Sequence, residues 1–85
     1  MQIQILPINP YTSKTQWELL YQGYAQFYGE SMDQAKLDLV WSWLQDPMHQ
    51  TDGLVANVEG SLVGLAHYRW FARPLAGETG LFLDD

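Results

Sequence analysis

Two adjacent carboxylates, Asp84 and Asp85, follow the apolar residues of segment 78–85 and are the best candidates for chemistry in this 85-residue chain. A carboxylate can accept a proton from a substrate ammonium group, directly or through a water molecule. Successive residues of a strand point to opposite faces, so these two could serve one substrate only if a β-bulge redirects one of them. The alternative is a solvated strand end without a chemical role.

Several aromatic side chains and one histidine could lie near these carboxylates. His67 stands in an apolar strand segment, where it is either a hydrogen-bonded core residue or part of a cleft. Arg69 and Arg73 follow it as isolated cations, at the surface or beside carboxylates. One helical stripe could line a substrate pocket or simply pack in the core; it contains Trp17, Tyr21, Tyr24 and Tyr28.

The composition argues against several other kinds of site. There is no cysteine, so disulfides and thiolate metal ligands are excluded. The two histidines, His49 and His67, lie on different predicted elements without metal-ligand spacing. No Gly-x-Ser-x-Gly turn and no glycine-rich phosphate loop occurs. We therefore expect neither a metal site nor a serine nucleophile.

Charge and hydropathy indicate the partners and the compartment. The net charge is −6 and only four residues are Lys or Arg, which argues against nucleic-acid binding. The acidity either favours a cationic substrate or partner or simply keeps an aromatic-rich protein in solution. The N-terminal sequence lacks a basic, signal-like region, and no apolar run approaches the length of a membrane span. We expect a cytoplasmic protein that binds neither nucleic acid nor membrane.

The residues that must position these groups form two predicted helices and four predicted strands. Strands are expected at 2–8, 54–58, 61–71 and 78–85, and helices at 13–28 and 31–45. Pro7 places the first strand near a sheet edge, Glu59-Gly60 is a hairpin turn, and Gly64 indicates a bulge or a close backbone approach. The order β-α-α-β-β-β predicts a mixed α/β fold of the α+β kind, with a mainly antiparallel sheet.

Polar and apolar patterning refines the two helices. A capping box is expected at each helix start, from Ser13–Gln16 or Thr15–Glu18 in the first helix and from Ser31–Gln34 in the second. The second helix has an inward stripe made of Leu37, Val40, Trp41 and Leu44. Trp43 lies off this stripe, so it either covers a neighbouring element or is exposed at an interface.

The strand 61–71 carries apolar groups on both faces, with Leu62, Ala66, Tyr68 and Trp70 on one face and Val63, Leu65 and Phe71 on the other. Such a strand belongs in the middle of a sheet that is covered on both sides. Two helices can cover only one face, so we expect residues 1–85 to be a single partial domain. Its last strand would pair with a copy of itself or with a complementing chain and bury Leu81, Phe82 and Leu83.

Taken together, these elements resemble a known family. The order of elements, the hairpin 54–68 (Leu-Val-Ala-Asn-Val-Glu-Gly-Ser-Leu-Val-Gly-Leu-Ala-His-Tyr) and the final Leu-Phe-Leu-Asp-Asp resemble the N-terminal half of GNAT N-acetyltransferases. The similarity is closest to the branch of diamine and spermidine/spermine acetyltransferases, and it covers essentially the whole chain. It implies acetyl transfer from acetyl-CoA to a small amine.

The resemblance also implies roles for individual residues. Asp84 matches the acidic residue that helps to deprotonate the substrate ammonium in the polyamine branch. Asp85 matches the acidic residue next to it and is the candidate for binding the substrate. Aspartate is one methylene shorter than the glutamate found there, which favours transfer through water. Tyr24, Tyr28 and Trp41 are the candidate walls of the amine pocket.

The family binds the acetyl-CoA pyrophosphate in a glycine-rich loop after the fourth strand, at a helix N-terminus. The sequence ends before such a loop. We therefore expect the complete family domain to use acetyl-CoA, and this chain alone to bind none and to be inactive. The alternative is a non-catalytic half-domain that dimerises, or binds a partner, through its last strand.

Overall fold

One four-stranded antiparallel sheet and two helices form the fold in the computed structural model, which describes residues 2–85. The strands are β1 (Ile3–Pro7), β2 (Thr51–Val58), β3 (Ser61–Arg73) and β4 (Glu78–Leu83), and the helices are α1 (Lys14–Phe27) and α2 (Gln34–Gln45). A single 3₁₀ turn, Pro74–Ala76, joins β3 to β4. The predicted α+β class and element order are confirmed. No helix of residues 2–85 is long and apolar enough to cross a membrane.

The strands lie in the order β1-β2-β3-β4, each antiparallel to its neighbour. The strand with Pro7 is at an edge, as its missing amide donor predicts. The β2–β3 hairpin closes with Glu59 and Gly60 at φ 53° and 87°. Two positive φ values in a two-residue turn match the right-handed twist of the strands. The Asn57 side chain accepts a hydrogen bond from the Gly60 amide at 2.9 Å.

A β-bulge lies at Val63, beside the glycine where the sequence predicted a bulge or a close approach. Leu62 is opposite Asn57 while Gly64 is opposite Ala56, so Val63 is the extra residue of β3. The bulge turns Leu62 to the face that packs against the core. The expectation that Leu62 shares a face with Ala66 was therefore wrong, because strict alternation does not hold across a bulge.

The two helices begin with different capping residues. The Ser13 hydroxyl accepts from the Gln16 amide at 3.3 Å at the start of α1, but the Gln16 side chain accepts from the Leu62 amide and does not close a capping box. The predicted Ser31–Gln34 capping box is wrong, because α2 begins at Gln34 with Asp33 as its N-cap. The Asp33 carboxylate accepts from the Lys36 amide at 2.8 Å. Both residue types are good N-caps, so the local pattern alone did not choose between them.

Both helices pack on one face of the sheet. The buried cluster consists of Ile8, Trp17, Leu37, Val40, Leu44 and Val55. The opposite face carries apolar side chains that residues 2–85 leave uncovered, such as Ile5 and Trp70, which are 61% and 56% exposed. The prediction that β3 is an inner strand is confirmed.

Gly53 allows the closest packing in this core, and its substitution provides a test. A Cβ atom at Gly53 would lie 2.5 Å from Ile8 Cδ1 and 3.2 Å from His67 Cδ2. We expect Gly53→Ala to lower the free energy of unfolding by about 1–3 kcal/mol through overpacking. In a domain of this size, each kcal/mol corresponds to roughly 4–8 °C in Tm.

The matched control is Gly23→Ala in α1, where a Cβ atom would meet nothing within 4 Å. Alanine is the better helix former by about 1 kcal/mol, so this variant should be more stable than the wild-type chain. Thermal unfolding followed by circular dichroism measures both. Equal Tm values for the two variants would contradict the packing assigned to Gly53.

Candidate functional site

The two carboxylates face one cleft because two residues at the end of β4 lie opposite one residue of β3. The amides of Asp84 and Asp85 both donate to the His67 carbonyl, at 2.9 and 3.2 Å. This is the two-against-one arrangement of a bulge, which removes the alternation that would send the side chains to opposite faces. Asp84 and Asp85 therefore line the same cleft.

A hydrogen-bonded chain of side chains holds Asp85. The Trp17 indole donates to His67 Nε2 at 3.0 Å. Because indole is only a donor, Nε2 must be the acceptor and Nδ1 carries the imidazole proton. His67 Nδ1 then donates to Asp85 Oδ2 at 2.9 Å, and the Tyr21 hydroxyl donates to the same oxygen at 3.0 Å. Among residues 2–85, Asp85 Oδ1 has no hydrogen-bond donor, so it is the oxygen left for a ligand.

Burial sets the protonation of this chain. His67 is only 1% exposed. Burial lowers the pKa of His67 and outweighs the opposing effect of Asp85, so the imidazole is neutral at pH 7. Burial, together with the Asp85 charge, raises the pKa of Tyr21, which therefore keeps its proton as a donor. Asp85 is thus fixed by two uncharged donors, and its negative charge is not cancelled by either.

The cleft beside Asp85 has a volume of about 490 Å³. Val40 and Trp43 of α2, His49 and Gln50 of the following loop and Thr51 at the start of β2 line it. Its remaining residues are Tyr21, His67, Arg69, Asp84 and Asp85. The rings of Trp43 and His49 are stacked, 4.9 Å apart and 5° from parallel. Arg69 Nε lies 3.5 Å from Asp84 Oδ1. One apolar wall therefore faces a group of three charges.

The structure places the other predicted site residues differently. Tyr24 and Tyr28 line a smaller cleft of about 140 Å³, which shares Tyr21 and Asp85 with the larger one. Trp41 packs against Trp17, with ring centroids 5.1 Å apart, and is among the lining residues of neither cleft.

Sequence reasoning missed the residues that reach the cleft from outside the expected stripe. Trp43, and not Trp41, forms the wall of the cleft. The position of Trp43 off the buried stripe of α2 was the signal in the sequence that could have indicated this. The hydrogen bond from Trp17 to His67 joins residues 50 positions apart. No spacing along the chain reveals a contact of this kind.

The architecture, taken with the comparisons, is GNAT-like. The chain superposes on a crystal structure of ribosomal-protein-alanine N-acetyltransferase from Brucella melitensis biovar Abortus 2308 with a TM-score of 0.75 and 21% identity. The match covers 100% of this chain and 55% of that one, so the chain spans about half the length of this neighbour. No family model and no curated protein matches the sequence. At this identity the likeness shows the fold, and it does not support the polyamine branch in particular.

The buried imidazole makes stability depend on pH. A histidine whose pKa is lowered by folding binds its proton more readily in the unfolded state. The contribution of His67 is therefore complete above the ordinary pKa of 6.5 and is lost as the pH falls below it. We expect Tm to fall between pH 7 and pH 5, where Asp84, Asp85 and Tyr21 are the ionisable groups that face His67.

The variant His67→Gln should have a lower Tm at pH 7 and a shallower loss of Tm between pH 7 and pH 5. His49→Gln is the matched control and should keep the wild-type slope. Differential scanning calorimetry over this range measures both slopes. A wild-type slope in His67→Gln would contradict the assignment of the pH dependence to the buried imidazole.

Proposed function

We propose that this chain forms the acceptor side of a GNAT-type N-acetyltransferase and binds a primary amine in the cleft at Asp84 and Asp85. The observation that carries the proposal is that both carboxylates face one cleft on a fold that matches such an enzyme over the whole chain. A net charge of −6 supports a cationic ligand, because the field of the protein attracts it.

An ammonium group must lose a proton before its nitrogen can attack a carbonyl carbon. Asp84, with 33% of its side chain exposed, is proposed as the catalytic residue that accepts this proton through a water molecule. Asp85 is proposed as the substrate-binding residue, since Oδ2 is held by two donors and Oδ1 is open to the amine. Asp85 thus stays in position while Asp84 exchanges a proton.

Acetyl-CoA would supply the acetyl group in the complete family domain. The helix N-termini of residues 2–85 do not fit its pyrophosphate, because α2 begins with the carboxylate of Asp33 and no glycine-rich loop precedes either helix. We therefore assign no described residue to acetyl-CoA and propose that this chain alone does not bind it. The proposed roles concern the amine only.

Two kinds of amine are candidates. The sequence resemblance favours diamines and spermidine, and the small cleft at Tyr24 and Tyr28 would offer aromatic faces to a second cationic group. The structural neighbour is named for an alanine of a ribosomal protein, which makes a peptide N-terminus the other candidate. Either ligand would place an amino group at Asp84 and Asp85.

Titration of the isotope-labelled chain with spermidine, and separately with an alanine-terminated peptide, tests amine binding by NMR. We expect shifts at Asp84, Asp85 and the Trp43 indole. Asp85→Asn should weaken binding by about tenfold or more, because Asp85 is the proposed anchor of the amine and a hydrogen bond to a charged group contributes about 1.5–3 kcal/mol.

Asp52→Asn is the matched control, since Asp52 is opposite Tyr68 on the other sheet face. It should bind the amine like the wild-type chain. Absence of shifts with either amine would contradict the proposed function. Shifts at the cleft with acetyl-CoA would contradict only the statement that the chain alone does not bind it.

A second candidate function is a half-domain that pairs with a copy or a partner through β4. The observation that favours it is the exposure of the last strand, where Leu81, Phe82 and Leu83 are 54%, 49% and 65% exposed. β4 is also an edge of the sheet, and an apolar sheet edge is a template for pairing.

Sedimentation equilibrium tests this second candidate. We expect a dimer, and Leu81→Lys should shift it toward the monomer because like charges would meet across the paired strands. Leu75→Lys is the control, since Leu75 lies in the 3₁₀ turn outside the sheet. A wild-type chain that remains monomeric at millimolar concentration would exclude pairing through β4.

A further inference from the structure

The proposed amine cleft contains a cation, Arg69. Arg69 lines the cleft with Asp84 and Asp85, and its side chain is 42% exposed. A site for simple amines or polyamines gains nothing from a neighbouring positive charge, because like charges repel. The arginine therefore indicates that the ligand also carries a negative group.

The guanidinium of Arg69 is supported from one side. It lies over the Phe82 ring, 4.8 Å from the ring centroid, and Nε is 3.5 Å from Asp84 Oδ1. Among residues 2–85, no hydrogen-bond acceptor engages its two terminal nitrogens. A planar fork held in this way matches the geometry of a carboxylate, which arginine binds through two parallel hydrogen bonds.

The spacing of the two anchors limits the length of the ligand. Asp85 is hydrogen-bonded to His67, and Arg69 lies two residues further along the same face of β3. Arg69 Nε is also only 3.5 Å from Asp84 Oδ1, and Asp84 is the neighbour of Asp85 in the chain. A ligand that binds both the carboxylates and the guanidinium must therefore carry its ammonium and its carboxylate close together. An α-amino acid has this arrangement, and a diamine does not.

The opposite wall indicates the side chain of the ligand. Val40 is 9% exposed, and the stacked rings of Trp43 and His49 stand beside it. An apolar or aromatic side chain would bury its surface against this wall. A cleft volume of about 490 Å³ is sufficient for such a ligand.

We propose that the cleft binds a free α-amino acid with an apolar side chain as its zwitterion. The ammonium group binds Asp85 Oδ1, the carboxylate binds the terminal nitrogens of Arg69, and the side chain packs against Val40 and Trp43. This inference rests on the amine-binding role proposed above and names its substrate class. Arg69 is then the specificity-determining residue, which selects amino acids over amines that lack a carboxylate.

Three ligands with the same ring separate these contributions in isothermal titration of the chain. They are L-phenylalanine, its amide, and phenethylamine, which lacks the carboxyl carbon. We expect L-phenylalanine to bind about tenfold more tightly than the other two, as one charge-assisted hydrogen-bond pair allows. The test is demanding, because the acidic chain by itself attracts the two cationic ligands more than the zwitterion.

Arg69→Gln should abolish this preference and leave phenethylamine binding at least as strong as in the wild-type chain. Arg73→Gln is the matched control, since Arg73 pairs with Glu78 and is not among the cleft residues. It should keep the preference. Amide spectra verify that both variants remain folded, and Arg69→Lys, which keeps the charge without the fork, should retain only part of the preference.

The outcomes distinguish this inference from the function on which it rests. Equal binding of the three ligands, or tighter binding of phenethylamine, would overturn the amino-acid proposal and leave amine binding intact. Tighter binding of the amide than of L-phenylalanine would point instead to the N-terminus of a peptide. If none of the three ligands binds, the amino-acid proposal fails, and failure of spermidine and of the peptide would extend this to amine binding as a whole.

Discussion

The buried imidazole of His67 is the constraint on which much of this structure depends. Both ring nitrogens lie in a place that water does not reach, and a buried polar group without a partner costs about 1–3 kcal/mol. Trp17 supplies a donor from α1 and Asp85 supplies an acceptor from the end of β4. Satisfying one side chain therefore joins a helix, an inner strand and the chain segment that carries the candidate chemistry. Gly53, opposite His67 in β2, leaves the room for the ring.

The same hydrogen bonds connect stability with the proposed function. Asp85 uses one carboxylate oxygen to satisfy His67 and Tyr21, and the other oxygen accepts no hydrogen bond from residues 2–85. A carboxylate held by two neutral donors keeps its full charge and a fixed orientation, which is what recognition of an ammonium group requires. Asp84 lacks such support and contacts Arg69. Two adjacent residues of one type thus acquire different environments, which is the basis for the different roles proposed for them.

The two helices cover only one face of the sheet, and the exposed surfaces suggest a second kind of function. Both helices lie on one face, while apolar side chains of the opposite face and of β4 are exposed among residues 2–85. The chain superposes on 55% of the length of its GNAT-like neighbour. The exposed edge explains why pairing through β4 is the second candidate. The two proposed functions do not exclude each other.

Local signals in the sequence were sufficient for the elements and their order. Pro7 determined the edge strand, Glu59-Gly60 the hairpin, and Ser13 the start of α1, because each acts within a few residues of chain. The tertiary structure alone decided the site. It brought Tyr21 to Asp85 across 64 positions and turned both terminal carboxylates to one face, through a bulge that alternation cannot predict. The physical reason is that these contacts are set by packing between distant elements, and periodicity records only the side that each element buries.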